Sequence, residues 1–274
     1  MTGAMTTVQP EEGILPGGLP FRALGAGEPL VYLPPFAPYN NLPTGLSRSI
    51  EVRIQRGLAA PGFRVFQVNR RPGLPAGTSM ENLAGELAST LAATFARPVD
   101  VLGFSTGGAL GLTLAANHPD RVRRLVVASA AHRMSSVARA ACAAAAARAA
   151  AHDRRGFQAA MAPTATLSPI GRRLAAAFGW LVAPLFLGRE WDPADAVITL
   201  RADLELDLSA RLSDIRAPAL IICGDSDPSY PEALTAELAR GIPLCQRIVY
   251  PRTGHGVILA RRFAADMAAF LLRP

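Results

Sequence analysis

The chain predicts an α/β fold: a mainly parallel, twisted sheet with helices on both faces, interrupted by one inserted helical cap. Three observations carry this reading. Short branched apolar runs alternate with longer amphipathic or alanine-rich segments, the pattern of strands covered by helices. One interval, Ala131 to Pro218, holds no strand sequence. At 274 residues, half of them apolar, the chain lies near the upper size for one hydrophobic core, which favours one domain with an insertion over two.

Taken in order, FRALG near Phe21 reads as a leading antiparallel strand. The parallel strands follow as PLVYLPP (Pro29 to Pro35), FRVFQVN (Phe63 to Asn69), VDVLGF (Val99 to Phe104), RLVVASA (Arg124 to Ala130), ALIICG (Ala219 to Gly224) and QRIVYP (Gln246 to Pro251). Helical patterns separate them at Leu46 to Gly57, Met80 to Phe95, Thr106 to Asn117, Pro231 to Arg240 and Arg261 to Leu272. The strandless interval is rich in Ala, Leu and Arg and is cut by Gly156, Pro163, Pro169, Pro184 and Pro193. It is too long for an ordinary loop. It predicts a helical cap over residues 131–207, set into a core formed by residues 1–130 and 208–274.

Composition narrows the function classes. Net charge is +7, and the basic residues other than histidine are all arginine. They occur as small scattered groups such as Arg70, Arg71 and Arg121, Arg123, Arg124, with no aromatic interleaving, so no nucleic-acid module is expected. Cys142, Cys223 and Cys245 are odd in number and lack metal-ligand spacing, which predicts reduced thiols and no metal site. MTGAMTTVQPEEG lacks the basic start and apolar core of a secretory signal, so a cytoplasmic location is expected. The longest apolar stretch, Leu174 to Gly188, has 15 residues and includes Pro184. A membrane span needs about 20, so a buried helix or pocket lid is expected and no stable membrane insertion.

The chemistry concentrates around VDVLGFSTGGAL. Gly103, Ser105 and Gly107 form G-x-S-x-G between a strand and a small-residue helix. A serine held on so sharp a turn leaves no room for neighbouring side chains, and Gly108 lets the helix approach the sheet. A serine hydroxyl needs a base to become a nucleophile. Of His118, His132, His152 and His255, only His255 stands between two glycines in a loop after the last strand. Ligands bind at the carboxyl ends of parallel strands. The loop GDSDPSYP after ALIIC supplies Asp225 and Asp227 as the orienting acid. Asp227 is preferred because Pro228 restrains the backbone there, with Asp225 second.

In motif, in the order Ser105, Asp227, His255, and in loop placement, the chain resembles the α/β-hydrolase family over nearly its whole length, from about Leu19 to Leu272. The resemblance implies acyl transfer to water. Ser105 would be the nucleophile, His255 the proton carrier and Asp227 the group that holds the imidazole tautomer. It excludes the dehalogenases and epoxide hydrolases of this fold, which place an aspartate where Ser105 stands. It also implies two backbone donors for the oxyanion: Thr106, directly after the nucleophile, and one from the loop after the early strand. Many relatives carry His-Gly before that second donor. Here LPPFAP substitutes Pro34 and Pro35, neither with an N–H to give, and Phe36 is the first residue that can donate.

The substrate expected is a small ester, thioester or lactone with an apolar acyl part under the cap, and no cofactor. Tyr39, Phe104, His132, Met134 and Trp180 are the candidate pocket residues, with Phe36, Phe178 and Trp191 beside them. Arg70 and Arg71 are read as surface residues or as partners of an anionic substrate group. Two alternatives stand beside the hydrolase reading: a cofactor-free perhydrolase or carbon–carbon bond hydrolase with the same triad, and a non-catalytic ligand-binding protein on the same scaffold.

Overall fold

The computed structural model describes residues 9–186 and 191–273. The first eight residues of MTGAMTTVQPEEG, and the last two residues of the stretch Leu174 to Gly188, lie outside them. Strand β1 (Glu11–Leu15) turns through Gly17 and Gly18, both at positive φ, into β2 (Leu19–Gly25). Such a turn is open to glycine and strained for other residues. β3 (Glu28–Leu33), α1 (Gly45–Ala59), β4 (Phe63–Val68), α2 (Met80–Thr94), β5 (Val99–Phe104), α3 (Thr106–Asn117) and β6 (Val122–Ala128) follow in strict alternation. Next come four helices: α4 (Ser136–Ala150), α5 (Arg154–Ala160), α6 (Pro169–Phe186) and α7 (Pro193–Glu205). The chain closes with β7 (Ala219–Gly224), α8 (Glu232–Gly241), β8 (Cys245–Tyr250) and α9 (Phe263–Leu271).

The eight strands form one sheet in the order β1-β2-β4-β3-β5-β6-β7-β8. β1 and β2 are antiparallel, and the six strands from β4 to β8 across the sheet run parallel. Period-two alternation sends successive side chains of each strand to opposite faces. Val31, Val101, Val127 and Ile221 pack on one face with α2, α3 and α8. Leu30, Leu102, Val126 and Ile222 pack on the other with Leu58 of α1 and Phe263, Met267 and Leu271 of α9. A sheet buried on both faces explains why its strands read as continuous apolar runs.

The alternating elements agree with the sequence reading to within two or three residues at their ends. β1 was not anticipated. EEGIL is short, and its exposed glutamates carry little strand signal. Between β6 and β7 the described residues hold helices and 3-10 turns and no strand, as the alanine-rich composition predicted. Ser135, Asp153 and Asp192 accept backbone hydrogen bonds at the starts of α4, α5 and α7, so each helix begins where a short polar side chain can satisfy free N–H groups. α7 is tied back to the loop after β4, because the Asp195 carboxylate accepts from the backbone N–H groups of Gly73 and Leu74. No helix among the described residues is long and apolar enough to cross a membrane.

Candidate active site

Ser105 is the single residue between β5 and α3, and its backbone sits at φ 54, ψ −123. That left-handed conformation is unusual for a residue with a side chain and is kept only where the surroundings enforce it. They do so through glycine. A Cβ on Gly103 would lie 2.3 Å from the Gly107 carbonyl oxygen, one on Gly107 would lie 2.1 Å from that of Leu33, and one on Gly108 would meet Ala130 at 2.5 Å. The Ser105 N–H donates to the Ala128 carbonyl at the end of β6, pinning the turn to the neighbouring strand.

His255 approaches Ser105 from the loop after β8. Its Nε2 is 2.9 Å from Ser105 Oγ and its Nδ1 is 2.9 Å from Asp227 Oδ2. The His255 ring lies beside Phe104 at 5.5 Å and stacks on Tyr230 at 5.9 Å, so its plane is fixed on two sides. The loop can come this close because β7 ends in Gly224. A side chain there would run into the Thr253 and Gly254 carbonyl oxygens. The Asp227 side chain is fully buried, and its Oδ1 accepts from the N–H groups of Ser229 and Tyr230. Asp225, two residues earlier, is exposed and accepts instead from Arg252 and Thr253 N–H, clasping the β7 and β8 loops together.

Thr106 is the first residue of α3, where backbone N–H groups have no partner within the helix. Its buried hydroxyl donates to Asp203 Oδ2 on α7 at 2.5 Å. Burial pushes the Asp203 carboxyl up to about 6, while the Thr106 hydrogen bond and the Arg70 charge act in the opposite direction. Phe36 lies in the loop after β3, the same loop whose Leu33 and Pro34 carbonyls touch Gly107. Its half-buried ring packs on Phe157 of α5 at 6.0 Å, and Phe157 meets Trp191 edge-on at 4.9 Å.

A family model described as the Alpha/beta hydrolase family matches residues 22–268. The chain belongs to this family. It is an enzyme of hydrolase type, as its relatives are. RutD of Klebsiella pneumoniae, named as a carbamate hydrolase, is 30% identical over 207 residues, covering 66% of this chain and 68% of its own. A pimeloyl-acyl-carrier-protein methyl ester esterase of Nitrosomonas europaea is 24% identical over 249 residues, covering 86% and 92%. Among solved structures, the alpha/beta hydrolase MGS-M2 from a Medee basin deep-sea metagenome library has a TM-score of 0.76 at 17% identity, covering 93% of this chain and 94% of its own, a likeness of fold.

Not every residue expected at the site of this hydrolase reaches it. Trp180 projects outward from α6, 47% exposed beneath the Arg155 guanidinium, because the face of α6 that packs inward carries Gly179 and Ala183. Phe178 is likewise exposed. His132 is wholly buried after β6, with Nε2 3.4 Å from Glu237 on α8 and no hydrogen bond to Ser105, Asp227 or His255 among the described residues. Burial lowers its pKa. Met134 and Tyr39 are buried, Met134 beside the Ser135 whose hydroxyl donates to the Pro228 carbonyl of the acid loop. Arg71 pairs with Glu86. Arg70 is no surface residue: it is buried, donates to Asn40, and is drawn down to about 10 by burial, with the Asp203 and Asp195 charges opposing.

Asp203 and Tyr230 were missed. The acids of DAVITLRADLE belong to no sequence motif, and only the fold reveals that Asp195 and Asp203, eight residues apart and therefore on one side of α7, both point inward. Tyr230 stood within GDSDPSYP, next to the chosen acid, and its loop position was the available signal.

Proposed function

We propose that this hydrolase is a serine hydrolase cleaving a small ester, thioester or lactone through a Ser105-His255-Asp227 acyl-enzyme mechanism. The single observation that carries the reading is the continuous row of two 2.9 Å contacts from Ser105 Oγ through the imidazole to Asp227. His255 Nε2 takes the Ser105 proton as Oγ attacks the carbonyl carbon, and Asp227 holds the Nδ1 proton and steadies the imidazolium that forms. The tetrahedral oxyanion is received by the N–H groups of Thr106 and Phe36, placed before charge develops so that little reorganisation is required. Collapse expels the alcohol or thiol with the proton from His255. Water, deprotonated by the same imidazole, then releases the acid.

In this reading residues 131–207 act as a cap. Phe157 and Trp191 back the Phe36 loop with an apolar wall, and α7 sets Asp203 against Thr106 on the other side. The test is labelling by a fluorophosphonate probe together with hydrolysis of short p-nitrophenyl esters. Wild type is expected to do both. Ser105→Ala is expected to lose the label and at least about 10⁴ of kcat. An unlabelled wild type with no ester turnover would remove the proposal.

A further inference from the structure

Helix α6 carries an apolar face that nothing within the described chain covers. Ile170, Leu174, Phe178 and Leu181 are 71%, 67%, 64% and 67% exposed. At 100° per residue these four fall within an arc of about 80°. Half of the large apolar side chains exposed among the described residues lie between Leu167 and Leu181. The opposite side of α6 is the packed one: Ala183 is fully buried and Gly179 sits against Gln158 of α5.

Charge decides what suits this face. Residues 136–186 contain six arginines and a single acid, Asp153. That acid is already engaged with Arg148 and with the start of α5. Arg173 is exposed at the flank of the stripe, next to Trp180 with Arg155 stacked over its ring at 4.2 Å. A second copy meeting this patch about a two-fold axis would bring arginine against arginine, because such an interface pairs each surface with itself. A negatively charged apolar layer satisfies both properties together.

We propose that the outer face of α6 docks on the surface of an anionic lipid bilayer, with Ile170, Leu174, Phe178 and Leu181 entering the headgroup boundary and Arg155 and Arg173 meeting lipid phosphates. α6 packs on α5, and Phe157 of α5 packs on Phe36, so the docked face is one helix layer from the proposed oxyanion donor. The contact is peripheral, and it does not require the Ser105 chemistry.

The test is flotation of the full chain with vesicles of phosphatidylcholine alone or with 30% phosphatidylglycerol. Binding is expected to the mixed vesicles at low salt, to fall at least tenfold in 0.5 M NaCl, and to be equal for Ser105→Ala. The double variant Leu174→Glu, Phe178→Glu is expected to lose vesicle binding while still hydrolysing soluble p-nitrophenyl esters. Arg155→Gln with Arg173→Gln, the two exposed arginines set at the lipid phosphates, should weaken binding several-fold. No binding of wild type to mixed vesicles, equal binding to neutral ones, or equal binding by the glutamate variant overturns the proposal. So does a dimer seen by light scattering that the glutamate variant dissolves, or capture by an acidic protein in place of lipid.

Discussion

The Thr106 hydroxyl donates to Asp203 at 2.5 Å, joining the residue after Ser105 to α7, a helix between β6 and β7. Burial holds the Asp203 carboxyl at about 6, above its usual 3.8. Between about pH 4 and 6 the folded chain therefore keeps a proton that the unfolded chain has lost. Stability attributable to this group is full below pH 4 and falls as pH rises through 6.

Asp203→Asn removes the titration. Relative to wild type, the variant is expected to gain stability from pH 4 to pH 7, on the order of 2 kcal/mol, whatever its constant offset from altered packing. Urea unfolding at intervals across that range reads the slope. An equal wild-type–variant difference at pH 4 and pH 7 would show that Asp203 does not titrate as assigned.

The two acids of GDSDPSYP are expected to separate cleanly. Asp227→Asn keeps the shape of the site but favours the wrong imidazole tautomer, so kcat should drop by roughly 10⁴. Asp225→Asn should leave kcat within about twofold, since its bonds go to Arg252 and Thr253 and not to His255. Those bonds lower the Asp225 pKa, with Arg252 N–H the largest cause, so its contribution is present above pH 4 and lost as pH falls further. Steady-state kinetics on both variants decides it. Reversed effects would reassign the acid.

Phe157 bridges Phe36 and Trp191 and is 2% exposed. Phe157→Ala should cost about 3 kcal/mol by leaving a cavity, while Phe157→Leu should cost less. With its support gone, the Phe36 loop should misplace its N–H, lowering kcat about tenfold in the alanine variant with KM nearly unchanged. A change confined to KM would mean that Phe157 contacts substrate and does not position the loop.

Much of this was legible in the sequence because the relevant signals are local. β5 and α3 read correctly to the residue, since a short apolar run rich in Val, Leu and Phe, one serine and a small-residue helix sit consecutively. Ser105, Asp227 and His255 each follow a strand, and the parallel sheet brings those loops to one edge. What escaped depends on rotation about a helix axis or on burial set by distant elements. Trp180 looked like a pocket residue by type, yet one step beyond the packed Gly179 turns it outward. Arg70 looked exposed by type, yet Asn40, Asp195 and Asp203, from two other segments, enclose it. Neither fact has a short-range pattern.

The glycines of the β5–α3 turn make the strictest demand on the backbone. Gly107→Ala would place a methyl 2.1 Å from the Leu33 carbonyl oxygen and 2.5 Å from that of Pro34, both backbone atoms that cannot swing aside. Gly103→Ala would meet the Gly107 carbonyl at 2.3 Å. Each substitution should destabilise by more than about 2 kcal/mol, and each should reduce labelling of Ser105 because relief requires the turn to open. Gly85 in α2 provides the contrast: an added Cβ meets nothing within 4 Å, and Gly85→Ala should stabilise by about 0.5–1 kcal/mol through helix propensity alone. Chemical denaturation of the three variants, with probe labelling of the folded fraction, measures both effects. If Gly107→Ala unfolds at the wild-type midpoint and labels normally, the close approach of β3 to the turn is not what holds Ser105 in place.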